Sequence, residues 1–279
     1  MFRADVRPVN AAEQSPGPLW RLLLCDAAPG TRAMAVDEAL LDACAADSLA
    51  FVPTLRLYAL DPPCLSLGRF QRADDADRDA CRRLGVDLVR RPTGGRAVLH
   101  DRCLTYALVA PVDAPPFAGG VRASAERMGA ALAAGLGRLA PGIATAPAPA
   151  RGPRPADCFA VPAAGEVVAD GRKLAGSAQL RRGGAALQHG TIRLRADAGQ
   201  AAPLLRAGPS PDPTPGPTAL DQRCGRPVTF TEAALALTAG IAETFAVRFC
   251  GGPISGEEQR RATALEGERY RRDAWTFAR

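Results

Sequence analysis

The stretch that decides the fold is residues 158–190, CFAVPAAGEVVADGRKLAGSAQLRRGGAALQHG. Asp170-Gly171 signals a tight hairpin turn, because such turns need left-handed backbone that Asp and Gly tolerate. Residues 166–169 and 172–175 are its arms. Arg182-Gly183-Gly184-Ala185 marks a second hairpin, whose far arm carries Gln188-His189-Gly190 and runs on to residue 195. Lys173 falls near the start of the first returning strand. It is the single lysine among 35 basic side chains and lies 15 positions after Cys158. Arginine stays protonated under ordinary conditions, whereas lysine is a compact ammonium that responds readily to burial. A compact cation beside a thiol favours the thiolate, the form that attacks carbonyl carbons. A composition biased toward arginine also leaves a lone lysine by chance; the neighbourhood of Cys158 and His189 points to chemistry.

Upstream, the Pro- and Ala-rich residues 141–155 read as a loop that delivers the chain to Asp157-Cys158. Residues 121–139 read as a helix burying Ala125, Met128, Leu132, Leu136 and Leu139. Strands are expected over 86–90, 97–100 and 104–110. Between the first two sits Thr93-Gly94-Gly95-Arg96. A glycine pair there lets backbone approach a ligand closely, and it also reads as a simple tight turn. Residues 74–84 read as a helix with Ala76, Ala80 and Leu84 inward. Residues 20–25, 55–60 and 64–67 read as strands. A helix starts at Gly30-Thr31 with Thr31 as N-cap. In it Ala33, Val36, Leu40, Ala43 and Cys44 face inward, and Asp37, Glu38 and Asp42 face away. Downstream, 207–219 is a Pro-rich loop. Residues 231–249 form a helix with Ala234, Thr238, Ile241 and Phe245 inward, and 257–270 a charged final helix. Residues 1–19 are a loose polar tail. Strands and helices mix without regular βαβ alternation, and the hairpins cluster in mid-chain. The fold class is therefore α+β, a mixed or antiparallel sheet flanked by helices.

Hydrophobic residues make up 47% and charged residues 23% of the chain, as in a globular protein that dissolves in water. Aromatics supply only 5%, so Ala, Leu and Val must build the core. The net charge of +6 favours acidic partners. The arginines are scattered and not interleaved with aromatics, which argues against nucleic acid. No apolar run approaches the ~20 residues that span a bilayer, and no signal peptide is expected. The eight cysteines are widely spaced without a CxxC pair, and there are two histidines. A metal site is not expected, and the thiols read as reduced, in a cytoplasmic protein.

Three motifs in order carry a family resemblance. Arg90-Arg91-Pro92-Thr93-Gly94-Gly95-Arg96-Ala97-Val98-Leu99-His100-Asp101 resembles the substrate loop of the lipoate/biotin protein ligase superfamily. Gly171-Arg172-Lys173-Leu174-Ala175-Gly176-Ser177-Ala178-Gln179 resembles its lysine motif, and Gln188-His189-Gly190-Thr191-Ile192 its following strand. Met34-Ala35-Val36-Asp37-Glu38-Ala39-Leu40 resembles its first helix. The resemblance implies a ligase-like catalytic domain over 20–250, containing the 207–219 loop, with a helical extension over 251–279. Arg96 stands where lipoate ligases carry a third glycine, and Cys158-Phe159-x-x-Pro162 precedes the lysine motif. Both features resemble the cysteine-dependent octanoyltransferases. Ala163-Ala164-Gly165-Glu166 departs from that family's usual Ser-x-Tyr-Glu.

The resemblance implies that Cys158 is the nucleophile, with Lys173 as its catalytic partner. Arg91, Gly94, Gly95, Arg96, His100, Gly176, Ser177, Ala178, His189 and Gly190 are implied substrate-binding residues. His100 and His189 are assigned to binding and not to general base catalysis. Val98, Leu99 and Leu174 are candidates for an apolar acyl slot. The implied donor is octanoyl-acyl carrier protein, and the acceptors are lipoyl domains of glycine cleavage H protein or 2-oxoacid dehydrogenase E2. A thioester donor is already activated, so no ATP or other cofactor is expected. The rivals are an ATP-dependent lipoate or octanoate ligase, an amidotransferase between lipoyl domains, and a non-catalytic module that binds acylated lipoyl domains.

Overall fold

The computed structural model describes residues 17–147, 157–159, 162–206 and 216–278. Residues 1–16 of the expected tail, 148–155 of the expected upstream loop and 207–215 of the Pro-rich loop lie outside the described residues. In chain order the elements are β1 (Leu19–Leu24), α1 (Gly30–Ala46), β2 (Thr54–Tyr58), β3 (Cys64–Leu67), α2 (Arg78–Arg83), β4 (Asp87–Arg90), β5 (Val98–His100), β6 (Cys103–Pro111) and α3 (Gly120–Leu136). They continue with β7 (Ile143–Thr145), β8 (Val167–Ala169), β9 (Arg172–Arg182), β10 (Ala185–Arg193), α4 (Leu220–Cys224), α5 (Phe230–Phe245), β11 (Arg248–Gly251), α6 (Gly256–Leu265) and α7 (Asp273–Thr276).

Eight strands form one mixed sheet in the order β11-β1-β2-β6-β10-β9-β8-β7. β1 runs parallel to β11 and to β2. From β2 through β6, β10, β9 and β8 to β7 every pairing is antiparallel. β4, β3 and β5 form a separate three-stranded sheet. The two hairpins read from residues 158–190 are β8–β9 and β9–β10. At the first turn Asp170 has φ 49° and Gly171 φ 72°. Positive φ at both central residues gives a twist that matches the flanking strands.

The large sheet is covered on both faces, and the two-residue period of its strands sorts side chains between them. Leu55 and Leu57 of β2 and Leu104, Tyr106 and Leu108 of β6 face the core under α3 and α5. Tyr58, Ala107, Val109 and Leu187 face the core under α1 and α6. Leu132 and Leu237, at most 1% exposed on α3 and α5, each contribute about 1.5–3 kcal/mol by burial. Thr105 of β6 and His189 and Thr191 of β10 share the α1 face by the same alternation, and they point beneath the small sheet.

Several local expectations give way to tertiary context. α1 has Pro29 at its N-cap without a side-chain cap, so Thr31 is not the cap. Asp37 and Glu38 do not face away: they are 0% and 1% exposed. The helix expected over 74–84 is a 3-10 turn at Ala73–Asp75 followed by the short α2. Asp77 caps α2, accepting from the Asp79 and Ala80 N–H groups, and Leu84 is exposed. The loop expected over 141–155 contains β7. The helix expected over 231–249 stops at Phe245, because Ala246 turns left-handed (φ 51°) and β11 fills an edge beside β1. The final helix ends at Leu265 and continues as a wide turn over Glu266–Tyr270.

Candidate active site

Cys158 is held by its backbone. Its N–H donates to the Ala97 carbonyl at 2.9 Å, and Asp157 bridges to Ala97 just before β5. Lys173, 2% exposed on β9, reaches across to it. Its Nζ donates to the Cys158 carbonyl at 2.7 Å and lies 3.5 Å from Cys158 Sγ. Glu166 Oε2 stands 2.5 Å from the same nitrogen, and also accepts from the Ala163 N–H at 2.7 Å. The ammonium therefore has a carboxylate on one side and the thiol on another. Lys173 folds back over Gly176, where a Cβ would lie 3.0 Å from Lys173 Cε and 3.2 Å from Nζ. The Gly176 position leaves that room because it lacks a side chain.

Cys158 borders a largely apolar cleft, about 400 Å³ of open space including solvent at its mouth. Gly95, Arg91, Val98, Gly176, Ser177 and Ala178 line it. His100, His189, Gly190, Thr191, Thr105, Tyr58, Ser66 and Met34 complete it. Of the residues singled out in the sequence, Gly94 and Arg96 do not line the cleft. Their carbonyls accept from Arg91, at 2.8 Å and 2.7 Å, and the Arg96 side chain is exposed. Leu99 and Leu174 do not line it either. Leu174 packs in the main core, and Leu99 packs in the small-sheet core because it points to the face opposite its cleft-lining neighbours Val98 and His100. Among the three acyl-slot candidates, Val98 alone belongs to the cleft.

Arg91 braces the glycine loop, donating also to the Ser66 carbonyl at 2.8 Å. Burial lowers its pKa to about 10, against the opposing pull of Cys158; the guanidinium stays charged at neutral pH. Burial, with Arg91 second, pushes His100 down to about 3. His100 is therefore neutral, and it pairs with Ser66 Oγ at 2.9 Å and Thr191 Oγ1 at 3.0 Å. Ser177 Oγ meets the Tyr106 hydroxyl at 2.6 Å, and burial raises that phenol to about 12.

Beneath the cleft lies a polar network that the helical pattern of α1 did not reveal. Asp37 accepts from Arg56 at 2.6 Å and from the Tyr58 hydroxyl at 2.8 Å, and it meets His189 Nδ1 at 2.9 Å. Burial alone would raise the Asp37 carboxyl, but Arg56, His189 and Tyr58 outweigh it and hold the pKa below the ordinary value. An ionised carboxylate only accepts, so His189 donates to Asp37 through Nδ1, and its Nε2 pairs with Thr93 Oγ1 at 2.7 Å. The available signal was β2 itself. A strand buried on both faces that carries Arg56 and Tyr58 needs buried partners.

The sequence profile of the lipoyl protein ligase A/B catalytic domain matches residues 29–242. The chain is 36% identical over 276 residues to octanoyltransferase LipM of Symbiobacterium thermophilum, covering 92% of this chain and 98% of the relative. It is 38% identical over 273 residues to octanoyltransferase LipM of Kyrpidia tusciae, with the same coverage. Among solved structures it is similar to lipoate-protein ligase A bound with ATP, with 25% identity, a TM-score of 0.77 and coverage of 92% and 98%. It is also similar to the bipartite lipoate protein ligase of Thermoplasma acidophilum, with 25% identity, a TM-score of 0.75 and coverage of 93% and 96%. With a profile spanning most of the chain and full-length relatives above 30% identity, this protein belongs to the lipoyl protein ligase A/B catalytic domain family.

Proposed function

We propose that this protein moves an octanoyl group from octanoyl-acyl carrier protein to the acceptor lysine of a lipoyl domain, through S-octanoyl-Cys158. The observation that carries this reading is the placement of Lys173 Nζ 3.5 Å from Cys158 Sγ at the edge of an apolar cleft. Relatives that span nearly the whole chain are named octanoyltransferases, which supports it. Residues 20–250 are assigned to catalysis. Residues 251–279 are assigned to an extension that buttresses α1, where the Tyr270 hydroxyl donates to Glu38 at 2.6 Å.

In the first step the Cys158 sulfur attacks the donor thioester carbonyl. A new C–S bond forms, the old one breaks, and the carrier thiol departs with the proton Cys158 gave up. In the second step the neutral amine of the acceptor attacks the same carbonyl. A C–N bond forms, the C–S bond breaks, and the amine proton passes to the leaving sulfur. Lys173 faces the charge that develops on sulfur and on the carbonyl oxygen in both steps. Glu166 fixes the ammonium there. The first step exchanges one thioester for another, and the second is downhill because an amide replaces a thioester, so neither needs ATP. The eight cysteines are all unpaired, which supports a reducing, cytoplasmic setting.

Intact-protein mass spectrometry after mixing with octanoyl-acyl carrier protein tests the reading. The expected result is a gain of one octanoyl group that hydroxylamine releases and that Cys158→Ala lacks. No gain, together with pyrophosphate–ATP exchange driven by free octanoate, would establish the ligase alternative. Equal or better loading from an octanoylated lipoyl domain would instead establish the amidotransferase.

A further inference from the structure

A second cleft lies against the segment that carries the nucleophile. Asp157 and Phe159, the neighbours of Cys158, line it with Leu99, Arg172, Arg193 and Gln222. It is polar, with about 780 Å³ of open space including solvent at its mouth. Arg193 ends β10 and is 9% exposed. Its Nε is shielded from water and meets no acceptor among the described residues. The guanidinium carbon stands 5.9 Å from the centroid of the Phe159 ring, and Lys173 Nζ stands 5.4 Å from that same centroid. The cation beside the thiol and the cation in the second cleft therefore share one aromatic ring.

A guanidinium does not shed its charge near neutrality, so desolvating one without an acceptor is costly. Asp157, Asp101 and Asp221 pull on Arg193 through space, while their hydrogen bonds go to backbone amides. Asp157 accepts from the Phe159 N–H, Asp101 from the Gly199 N–H, and Asp221 from the Ala196 and Gln222 N–H groups. Burial lowers the Arg193 pKa in spite of the opposing pull of Asp157 and its neighbours. Arg172 is held at the rim by the Gly216 and Pro217 carbonyls, which carry no charge, and it forms no ion pair among the described residues. The cleft thus presents two arginines and amide groups beside the reacting sulfur, an arrangement suited to a phosphate on a polar chain.

We propose that this cleft takes the phosphate-bearing thiol arm through which an acyl carrier presents its thioester, with the phosphate on Arg193 and Arg172. The inference rests on the transferase reading above. The acyl chain occupies the apolar cleft, the arm occupies the polar one, and the thioester lies between them at Cys158.

Two measurements test it. In Cys158→Ala, calorimetric titration compares phosphopantetheine, pantetheine, ATP and inorganic phosphate. Phosphopantetheine is expected to bind roughly tenfold or more tightly than pantetheine, the scale of one charged hydrogen bond. Equal binding of those two, or tighter binding of ATP or inorganic phosphate, overturns the proposal. Second, the kcat/KM ratio of octanoyl-phosphopantetheine to octanoyl-pantetheine as acyl donors is expected to be about tenfold or more, on the same footing. It should fall to near one in Arg193→Gln and be largely restored in Arg193→Lys. A ratio unchanged by Arg193→Gln also overturns it. If neither thioester loads Cys158 while phosphopantetheine still binds selectively, the arm site stands and the transferase reading falls.

Discussion

Two buried ion pairs, Asp37–Arg56 and Glu166–Lys173, lie near the apolar cleft and are built for different ends. In the first, the side chains are 0% and 2% exposed, and both carboxylate oxygens are used, by Arg56, Tyr58 and His189. Arg56 also donates to the Ala33 carbonyl at 2.9 Å and stacks 3.8 Å over the Tyr58 ring. In the second, Lys173 is equally buried, but its carboxylate partner is 11% exposed and its ammonium is shared with a cysteine sulfur. A pair whose carboxylate is fully engaged fixes an α-helix to a sheet and orients a histidine. A pair left open toward a thiol has charge to spend on a reaction. Burial alone does not separate the two roles; what the cation's remaining hydrogens point at does.

The contrast can be broken first at the open pair. Cys158→Ala should lower transfer by on the order of 10⁴-fold or more, as loss of a covalent nucleophile does, with stability nearly unchanged; single-turnover acylation reads this. Lys173→Ala should lower the acylation rate by roughly 10²–10³-fold, the scale for removing one preorganised charge-stabilising group. Lys173→Arg should not restore it, because a planar fork does not fill the position of a compact ammonium.

At the closed pair the effect should fall on stability. Asp37→Asn leaves Arg56 buried without its counter-charge and should destabilise by about 3–5 kcal/mol, read from the urea midpoint. The Asp37 pKa is depressed when folded. Its contribution is therefore fully present above the ordinary 3.8 and is lost as pH falls through the lower folded value. Asp37→Asn should remove that component of acid unfolding. The smallest effect is expected for Glu166→Gln, which keeps a hydrogen-bond acceptor near Lys173. It should slow acylation by roughly tenfold, the scale of one charge-assisted hydrogen bond, and leave the urea midpoint little changed. If Glu166→Gln destabilises as much as Asp37→Asn, the distinction between the two pairs fails.

How much of this was legible depended on range. The hairpins at Asp170-Gly171 and Gly183-Gly184 were readable because turn chemistry is local, and so was the strand identity of 64–67. α1 was readable as a helix but not in its orientation. Its periodic pattern put Asp37 and Glu38 outside, yet a sheet covers one side and α6 with the turn at Glu266–Tyr270 the other. Glu38 meets Tyr270 and Arg269, more than 200 residues away. The acyl-slot candidates show the same limit. Val98, Leu99 and Leu174 are all apolar neighbours of motif residues, and only strand register decides which one faces the cleft. Trp275 is a further case. Its indole donates to the Arg90 carbonyl at 2.8 Å and the Arg90 guanidinium returns to the Thr276 carbonyl at 3.0 Å. The C-terminal segment thus steadies the strand that leads into the glycine loop.

The residue order by itself determined the hairpin pairings, the mixed α+β class and the solitary lysine fifteen positions after a cysteine, because turn preference and chemical identity are properties of short segments. Only the tertiary structure decided that this lysine is shared between a carboxylate and the thiol, that α1 buries its acids, and that Arg193, whose Nε meets no acceptor among the described residues, backs a second cleft. Those outcomes depend on which surfaces of distant segments exclude water together, and a charged group acquires its role from the partners it meets there.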